Sequence, residues 1–272
     1  MDYKTPFELA KAACTASQTK VSWSISQMLL LGILAGAYIA FGGWLMVSVT
    51  YDVPGGLGKF LAGVVFSVGL ILVVIAGGEL FTGNCMMPLG ALVGCTPMKN
   101  IMRAWFWVYI ANLIGATLVA YLLYFTALWN GPIGAKTLSI AAGKMGLPFG
   151  QAFVRGILCN WLVVLAVWLS MAATDITGKI WAIFFPIMAF VASGFEHSVA
   201  NMYFMAMGLL LKKSPEMIQM AGLSDAQLQF VSIGGYIHNL VPVTLGNIVG
   251  GALFVATFYY WIFKKKLKEA DL

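Results

Sequence analysis

Long apolar runs separated by short polar segments are the main structural signal of this chain. The runs recur at about 20 residues each, which is the length that an α-helix needs to cross a bilayer. A weaker apolar run at residues 88–93 follows the second of them. The pattern predicts an all-α integral membrane protein with six transmembrane helices, at residues 27–49, 60–78, 104–128, 156–173, 180–211 and 239–263.

Two of these spans are interrupted by the same polar pattern. Glu79 ends one apolar stretch and Glu196 ends another, and five residues later stands Asn84 or Asn201. A carboxylate at membrane depth costs about 3 kcal/mol unless it faces protein or water. We therefore predict that the second and fifth helices are broken. A break releases backbone N–H groups, and we expect these four residues to hold the breaks, each glutamate by accepting hydrogen bonds from such groups.

Matching segments at nearly constant spacing indicate an internal repeat. Gly32-Ile-Leu matches Gly156-Ile-Leu 124 residues later, the two glutamates match at a spacing of 117, and Asn112 matches Asn247 at 135. Each half then holds three spans, and an odd number places the halves in opposite orientations. We expect a 3+3 inverted repeat whose broken helices face each other near the midplane, where such proteins bind or pass a solute.

Composition supports a membrane protein with little outside the bilayer. The 272 residues are 61% hydrophobic and 10% charged, and the mean hydropathy is +0.89. Lys and Arg are more frequent on the predicted N-terminal side, so both termini are predicted to be cytoplasmic. The net charge of +6 suits anionic lipid headgroups rather than nucleic acid. We predict an N-terminal amphipathic interfacial helix within residues 1–26, a channel domain at 27–263 and a basic cytoplasmic tail at 264–272.

Few side chains could hold a metal or carry out catalysis. Cys14, Cys85, Cys95 and Cys159 contain no C-x-x-C pair, and we expect buried free thiols. Two histidines exclude a metal centre with many histidine ligands. We therefore expect no metal site, no cofactor and no enzyme activity.

Polar residues in or near the breaks are candidates for contacting a solute. His197 could donate a proton to a passing anion or bind it by a hydrogen bond, and Thr82 could also hydrogen-bond to it. Asn160 and Asn247 lie within apolar spans, where interhelical hydrogen bonding and pore lining are both open interpretations. Lys144, on the predicted outer loop before span four, would raise the local anion concentration.

Three bulky apolar residues precede the breaks by a few helical turns. They are Phe66, Leu70 and Phe190. Such side chains narrow a path and strip water from a solute, although lipid-facing or core positions are also open to them.

Four segments resemble the bacterial formate/nitrite transporter family, which also includes hydrosulfide channels. The resemblance spans both halves, and the third segment is the most specific. It implies an aquaporin-like fold, a homopentamer with one pore per protomer in the bacterial inner membrane, and small monovalent anions as cargo. The segments are Gly78-Glu-Leu-Phe-Thr-Gly-Asn84, Leu158-Cys-Asn-Trp-Leu-Val163, Ala192-Ser-Gly-Phe-Glu-His-Ser-Val-Ala-Asn-Met202 and Val243-Thr-Leu-Gly-Asn-Ile-Val-Gly-Gly251.

The resemblance also implies a role for each candidate residue. The function it implies is permeation of formate, nitrite or hydrosulfide, aided by protonation of the anion at the central histidine, since a neutral acid crosses an apolar constriction at lower desolvation cost. The alternative is an aquaporin-type channel for neutral solutes, although the Asn-Pro-Ala typical of that class is missing from both breaks. The implied roles are pore threonine Thr82, central histidine His197, vestibule lysine Lys144, pore asparagines Asn160 and Asn247, and constriction residues Phe66, Leu70 and Phe190.

Overall fold

Helices make up almost all of the protein in the computed structural model, which describes residues 3–270. In chain order the helices are α1 (Pro6–Ser22), α2 (Ile25–Thr50), α3 (Gly55–Gly77), α4 (Phe81–Val93), α5 (Met98–Phe125), α6 (Pro132–Met145), α7 (Phe149–Ala172), α8 (Ile176–Ala192), α9 (Ser198–Leu211), α10 (Pro215–Ala221), α11 (Asp225–Phe230) and α12 (Ile233–Glu269).

Within residues 3–270, five helices are long and apolar enough to cross a membrane: α2, α3, α5, α7 and α12. The apolar helices α4, α8 and α9 are shorter. The predicted second span corresponds to α3 and α4, and the predicted fifth span to α8 and α9, with an irregular segment inside each pair. The all-α membrane architecture with broken second and fifth helices is therefore present, while the complete inverted 3+3 arrangement stays a prediction.

The long helices extend beyond the apolar runs that predicted them. Helix α5 begins at Met98 rather than at residue 104, and α12 continues to Glu269. The lysines of residues 264–268 therefore belong to α12 rather than to a separate tail. Backbone hydrogen bonds can continue a helix beyond the apolar run in its sequence, because polar side chains outside that run are compatible with helical structure.

Helix α1 begins at the capping box that its sequence predicts. The Thr5 hydroxyl accepts a hydrogen bond from the Glu8 N–H, and the Glu8 carboxylate accepts one from the Thr5 N–H. The hydrogen bond from the Thr5 backbone lowers the pKa of the Glu8 carboxyl group. The buried side of α1, with Leu9, Ala10 and Ala13, packs against α4, α5, α7 and α12. The location of this helix at the membrane surface stays a prediction.

Helix α6 lies where we expected an outer loop. It has Pro132 at its first position and Lys144 in its last turn, so the prediction of a loop position for Lys144 is wrong. Pro132 could have indicated this helix, because proline is common at the first position of a helix. The buried side of α6 packs against α9 and α10. Two short helices, α10 and α11, are capped by Ser214 and Ser224.

Two cysteines form a disulfide, which corrects the prediction of four free thiols. Cys14 of α1 is bonded to Cys95, which follows α4, and their Cα atoms are 6.4 Å apart. Cys85 and Cys159 are free and buried, as predicted. The bonded residues are 81 positions apart in the sequence, so only the docking of α1 on the bundle brings them together.

Glycines allow the most extensively packed helices to approach closely. Helix α2 packs on α5, and α7 packs on α12. A side chain at Gly36 would overlap the backbone of Asn112, and one at Gly246 would overlap the backbone of Phe153. Small residues allow such contacts between membrane helices, where dispersion and hydrogen bonds drive association. The close approach of α2 to α5 and of α7 to α12 is what positions the asparagines described below.

Candidate functional site

The two helix breaks have nearly the same backbone geometry. Gly77 and Gly194 have φ angles of +94° and +72°, a region that favours glycine. Three residues after each glycine the chain is extended, with φ and ψ of −106° and 122° at Leu80 and −108° and 115° at His197. The second half of each broken helix begins directly after this residue. This equivalence supports the predicted repeat at the point where the helices open.

Asn112 of α5 binds the backbone groups that the first break releases. Its Oδ1 accepts the Phe81 N–H at 2.9 Å, and its Nδ2 donates to the carbonyls of Glu79 and Gly32, each at 2.8 Å. The side chain is fully buried. Sequence reasoning used Asn112 only as a repeat match and missed this role, although its position in an apolar span was a signal.

Asn247 of α12 makes the equivalent bonds at the second break. Its Oδ1 accepts the Ser198 N–H at 2.9 Å, and its Nδ2 donates to the carbonyls of Gly156 at 2.8 Å and Glu196 at 3.0 Å. Ser198 and Glu196 follow Phe81 and Glu79 by 117 residues, and Gly156 follows Gly32 by 124. These are the spacings of the predicted repeat. Both polar atoms of the Asn247 amide are thus bound to the backbone, which favours interhelical hydrogen bonding over pore lining among the two interpretations of this residue.

Glu196 is paired with side chains rather than with freed N–H groups. One carboxylate oxygen accepts from the Lys144 ammonium at 3.0 Å and the other from Asn201 Nδ2 at 2.6 Å. Asn201 also binds Asn239, whose Nδ2 donates to the Lys144 carbonyl. The freed N–H of Ser198 donates to Asn247 instead. The prediction that the glutamates accept hydrogen bonds from freed N–H groups is therefore wrong. Lys144 is largely buried, with 16% of its side chain exposed.

Glu79 makes the corresponding contacts at the first break. Its carboxylate pairs with Lys20 of α1 and accepts a hydrogen bond from Asn84 Nδ2 at 2.7 Å. Sequence reasoning missed Lys20. A signal was present, because Lys20 precedes Lys144 by 124 residues, the spacing that relates the Gly32 and Gly156 segments. Helices α1 and α6 are therefore equivalent elements in the two halves.

Thr82 and His197 meet between the two breaks. The Thr82 Oγ1 and His197 Nε2 atoms are 2.9 Å apart, and His197 Nδ1 accepts the Ala200 N–H at 3.0 Å. Since Nδ1 is an acceptor, a neutral ring carries its hydrogen on Nε2 and donates it to Thr82. The Thr82 hydroxyl hydrogen then remains available to a solute. Asn160 Nδ2 donates to the Thr82 and Asn247 carbonyls at 3.1 and 2.6 Å.

Two of the three predicted constriction residues, Phe66 and Phe190, lie next to His197. Phe66 and Phe190 pack edge to face with ring centroids 5.8 Å apart, and Phe190 stacks on the His197 ring at the same distance. Leu70 is one helical turn beyond Phe66. All three are at most 3% exposed. The structure thus brings the bulky apolar residues and the polar pair to one place.

Two cavities approach the Thr82–His197 pair and its apolar neighbours from opposite ends of α7. The terminal-side cavity, about 290 Å³, is lined by Leu70, by the α1 residues discussed below, and by Ser170 near the end of α7. The far-side cavity, about 170 Å³, is lined by Phe66, Phe190 and His197 and by residues of α6, which ends just before α7 begins. Leu70 and Phe66 therefore stand between the cavities.

Each cavity contains a lysine–glutamate–asparagine group and leads to an apolar centre. Lys20, Glu79 and Asn84 line the terminal-side cavity, and Lys144, Glu196 and Asn201 line the far-side cavity. No group of three or more His, Cys, Asp or Glu able to hold a metal occurs between residues 3 and 270. The arrangement can receive a small charged solute at either end and offer it hydrogen bonds at a narrow centre.

Comparison with known proteins decides the family. The model of a family described as formate/nitrite transporter matches residues 7–261. The chain belongs to this family. Its sequence is 45% identical to a protein named probable formate transporter from Methanothermobacter thermautotrophicus, over 97% of this chain and 98% of the relative.

Solved structures agree with this assignment. A chain described as an FNT family ion channel matches with a TM-score of 0.83 and 29% identity, covering 94% of this chain and 98% of the other. A chain described as a pentameric formate channel with formate bound matches with a TM-score of 0.78 and 38% identity, over 88% and 98%. The family consists of membrane channels and transporters rather than enzymes, and this chain is a multi-pass membrane protein.

Removing either break asparagine should destabilise the fold. Asn112→Leu and Asn247→Leu each remove the partner of one buried N–H and of one carbonyl group of the break, at about 1–3 kcal/mol for each group. We expect both variants to unfold at clearly lower temperature in detergent, and by similar amounts.

Asn130→Leu is the matched control, because Asn130 is exposed. If Asn247→Leu unfolded at the wild-type temperature while Asn112→Leu did not, the equivalence of the two breaks would be wrong.

Proposed function

We propose that this protein conducts small monovalent anions, formate above all, through a path inside each protomer. The buried Thr82–His197 pair, placed at an apolar narrowing between two lysine-bearing cavities, is the observation that carries the proposal. The relatives named for formate support the cargo. Nitrite and hydrosulfide have the same charge and similar size, and we include them as further cargo.

Lys144 and Lys20 attract the anion at the two ends of the path. Each lysine is held in place by a glutamate, and the ion pair fixes the ammonium group against a cavity wall. A positive group in a partly buried cavity raises the local concentration of anions. The glutamate lowers this attraction, so the role of the pair is to position the cation as much as to charge the cavity.

The centre of the path replaces part of the water that the anion loses. Phe66, Leu70 and Phe190 leave little room for a hydration shell, and an unsolvated charge is costly in apolar surroundings. The Thr82 hydroxyl, which accepts the hydrogen bond from His197 Nε2–H, supplies a donor at this point. This donor favours an anion over a cation.

We place the proton transfer that neutralises the anion at His197. Transfer requires the imidazolium ion, whose Nδ1–H would face the Ala200 N–H. The imidazolium form of His197 is unfavourable in the resting protein. The negative charge of an anion at Nε2 stabilises this form, so His197 gains a proton as the anion binds. The neutral acid then passes the apolar residues at much lower cost.

We further propose a homopentamer in a bacterial inner membrane with both termini in the cytoplasm. The pentameric formate channel is similar over 88% of this chain, which supports the same assembly. The excess of Lys and Arg on the side of the termini supports the orientation. In this orientation the terminal-side cavity opens toward the cytoplasm.

Flux in proteoliposomes tests the proposed function. We expect formate to enter liposomes containing the protein much faster than it enters empty liposomes, and glycerol to enter both at the same rate. Isotope uptake of formate and light-scattering shrinkage in glycerol measure the two. Glycerol flux without formate flux would favour the aquaporin-type alternative.

Replacement of the central histidine tests the proton transfer. Formate flux of the wild-type protein should rise as the pH falls, and His197→Asn should flatten this rise and lower flux at acidic pH about a hundredfold, the lower end of the usual effect of removing a general acid. His238→Asn is the control, because that ring is exposed and binds only the Leu147 carbonyl through Nε2. An unchanged pH profile in His197→Asn would remove the histidine from the mechanism.

Replacement of the vestibule lysine tests anion attraction. Lys144→Met should lower formate entry about tenfold at low ionic strength, and the deficit should shrink at high salt because salt screens the attraction. Lys136→Met lies on the same helix α6 but is exposed, so it should behave like the wild type. A deficit that did not depend on salt would indicate a structural role for Lys144.

A further inference from the structure

We propose that Cys14 and Cys95 form a redox-controlled tether that holds α1 across the mouth of the terminal-side cavity. In the bonded state the cavity is covered, and reduction releases α1 so that the mouth opens. Only the flux measurement rests on the proposed function, because the tether is inferred from the contacts of α1.

Helix α1 forms one wall of the terminal-side cavity. Ala13, Ala16, Ser17 and Lys20 line it, and Cys14 lies among them in the sequence. A second cavity, lined by Ala12, Thr15 and Lys4, lies beside it along the same helix. Lys20 and Glu79 line both cavities. Movement of α1 would therefore join the inner cavity to the outer one.

Few noncovalent contacts hold the middle of α1 in place. Ser17 Oγ donates a hydrogen bond to the Met87 carbonyl at 3.4 Å, and Lys20 pairs with Glu79. The other buried residues of the helix are Leu9 and the small Ala10 and Ala13. Alanine side chains bury little apolar area, so the middle of the helix depends on its covalent bond to Cys95 more than a helix with several large buried residues would.

The bond connects the helix to the element that carries the first break. Cys95 directly follows α4, whose first residues include Thr82 and Asn84. Ser17 also lies against Gly90 of α4, where a side chain would clash with its hydroxyl. The disulfide thus fixes α1 to the same helix that positions the pore threonine.

The pair can exchange with small disulfides. Cys95 is half-buried while Cys14 is 1% exposed, so the Cys95 thiolate is the group that attacks a low-molecular-weight disulfide. This forms a mixed disulfide and releases one small thiolate. The Cys14 thiolate then attacks the Cys95 sulfur, forms the protein disulfide and releases the second small thiolate. The two protons of the protein thiols pass to solvent or to the released thiolates.

The proposed orientation makes this bond responsive to redox conditions. With the termini in the cytoplasm the pair faces a compartment that keeps thiols reduced. The open, reduced form then prevails in ordinary conditions, and an excess of small disulfides closes the cavity. Anion exchange would thereby be limited when the cell is oxidised.

Formate uptake by proteoliposomes is the first measurement. The protein is treated either with oxidised glutathione or with dithiothreitol, and mass spectrometry of non-reduced peptides records the Cys14–Cys95 bond. We expect several-fold faster uptake in the reduced protein. The double variant Cys14→Ser/Cys95→Ser should match the reduced wild type after both treatments, and it keeps the buried thiols of Cys85 and Cys159 as an internal control.

Hydrogen exchange of the α1 amides is the second measurement and needs no transport. Exchange in α1 should be faster in the reduced protein and in the double variant than in the oxidised protein. Equal exchange, measurable uptake that is equal in the two redox states, or failure of glutathione to form the bond would each overturn the proposal. If formate uptake were absent in every state while α1 exchange still changed on reduction, the tether would stand and the proposed cargo would fail.

Discussion

Unpaired backbone groups at the two helix breaks are the constraint on which the rest of this structure depends. No water is available in the hydrocarbon core, so each released N–H and C=O group must find a partner within the protein. Asn112 and Asn247 supply these partners from neighbouring helices, with the same three bonds in each half. The breaks are therefore rigid, and the side chains next to them have defined positions.

The chemistry of the centre comes from a difference between two otherwise equivalent halves. The extended residue just before the second part of each broken helix is Leu80 in one half of the chain and His197 in the other. Two residues further on, Thr82 corresponds to Val199 at the repeat spacing. One half thus contributes the hydroxyl and the other the imidazole, and the pair meets at 2.9 Å. A strictly symmetric pore would have lacked this pair.

The ends of the path retain the symmetry that the centre loses. Lys20 and Lys144 come from equivalent helices and pair with equivalent glutamates. The two helices nevertheless differ in attachment, because α1 is bonded through Cys14 to Cys95, whereas α6 contains no cysteine. A helix whose attachment includes a reducible bond is the more suitable of the two for regulation.

The sequence by itself determined the membrane class, the spans and the two breaks, because apolar length and a repeated glutamate in an apolar run are local signals. Its similarity to a known family also identified the residues that meet at the centre. Tertiary structure alone decided that Asn112 and Asn247 bind the breaks, that Lys20 pairs with Glu79, and that α1 reaches Cys95. These facts depend on which segments dock together, and residues 31 to 91 positions apart become neighbours only when helices pack. The physical reason is that helix formation responds to nearby residues, whereas satisfaction of a freed polar group depends on whatever the fold places beside it.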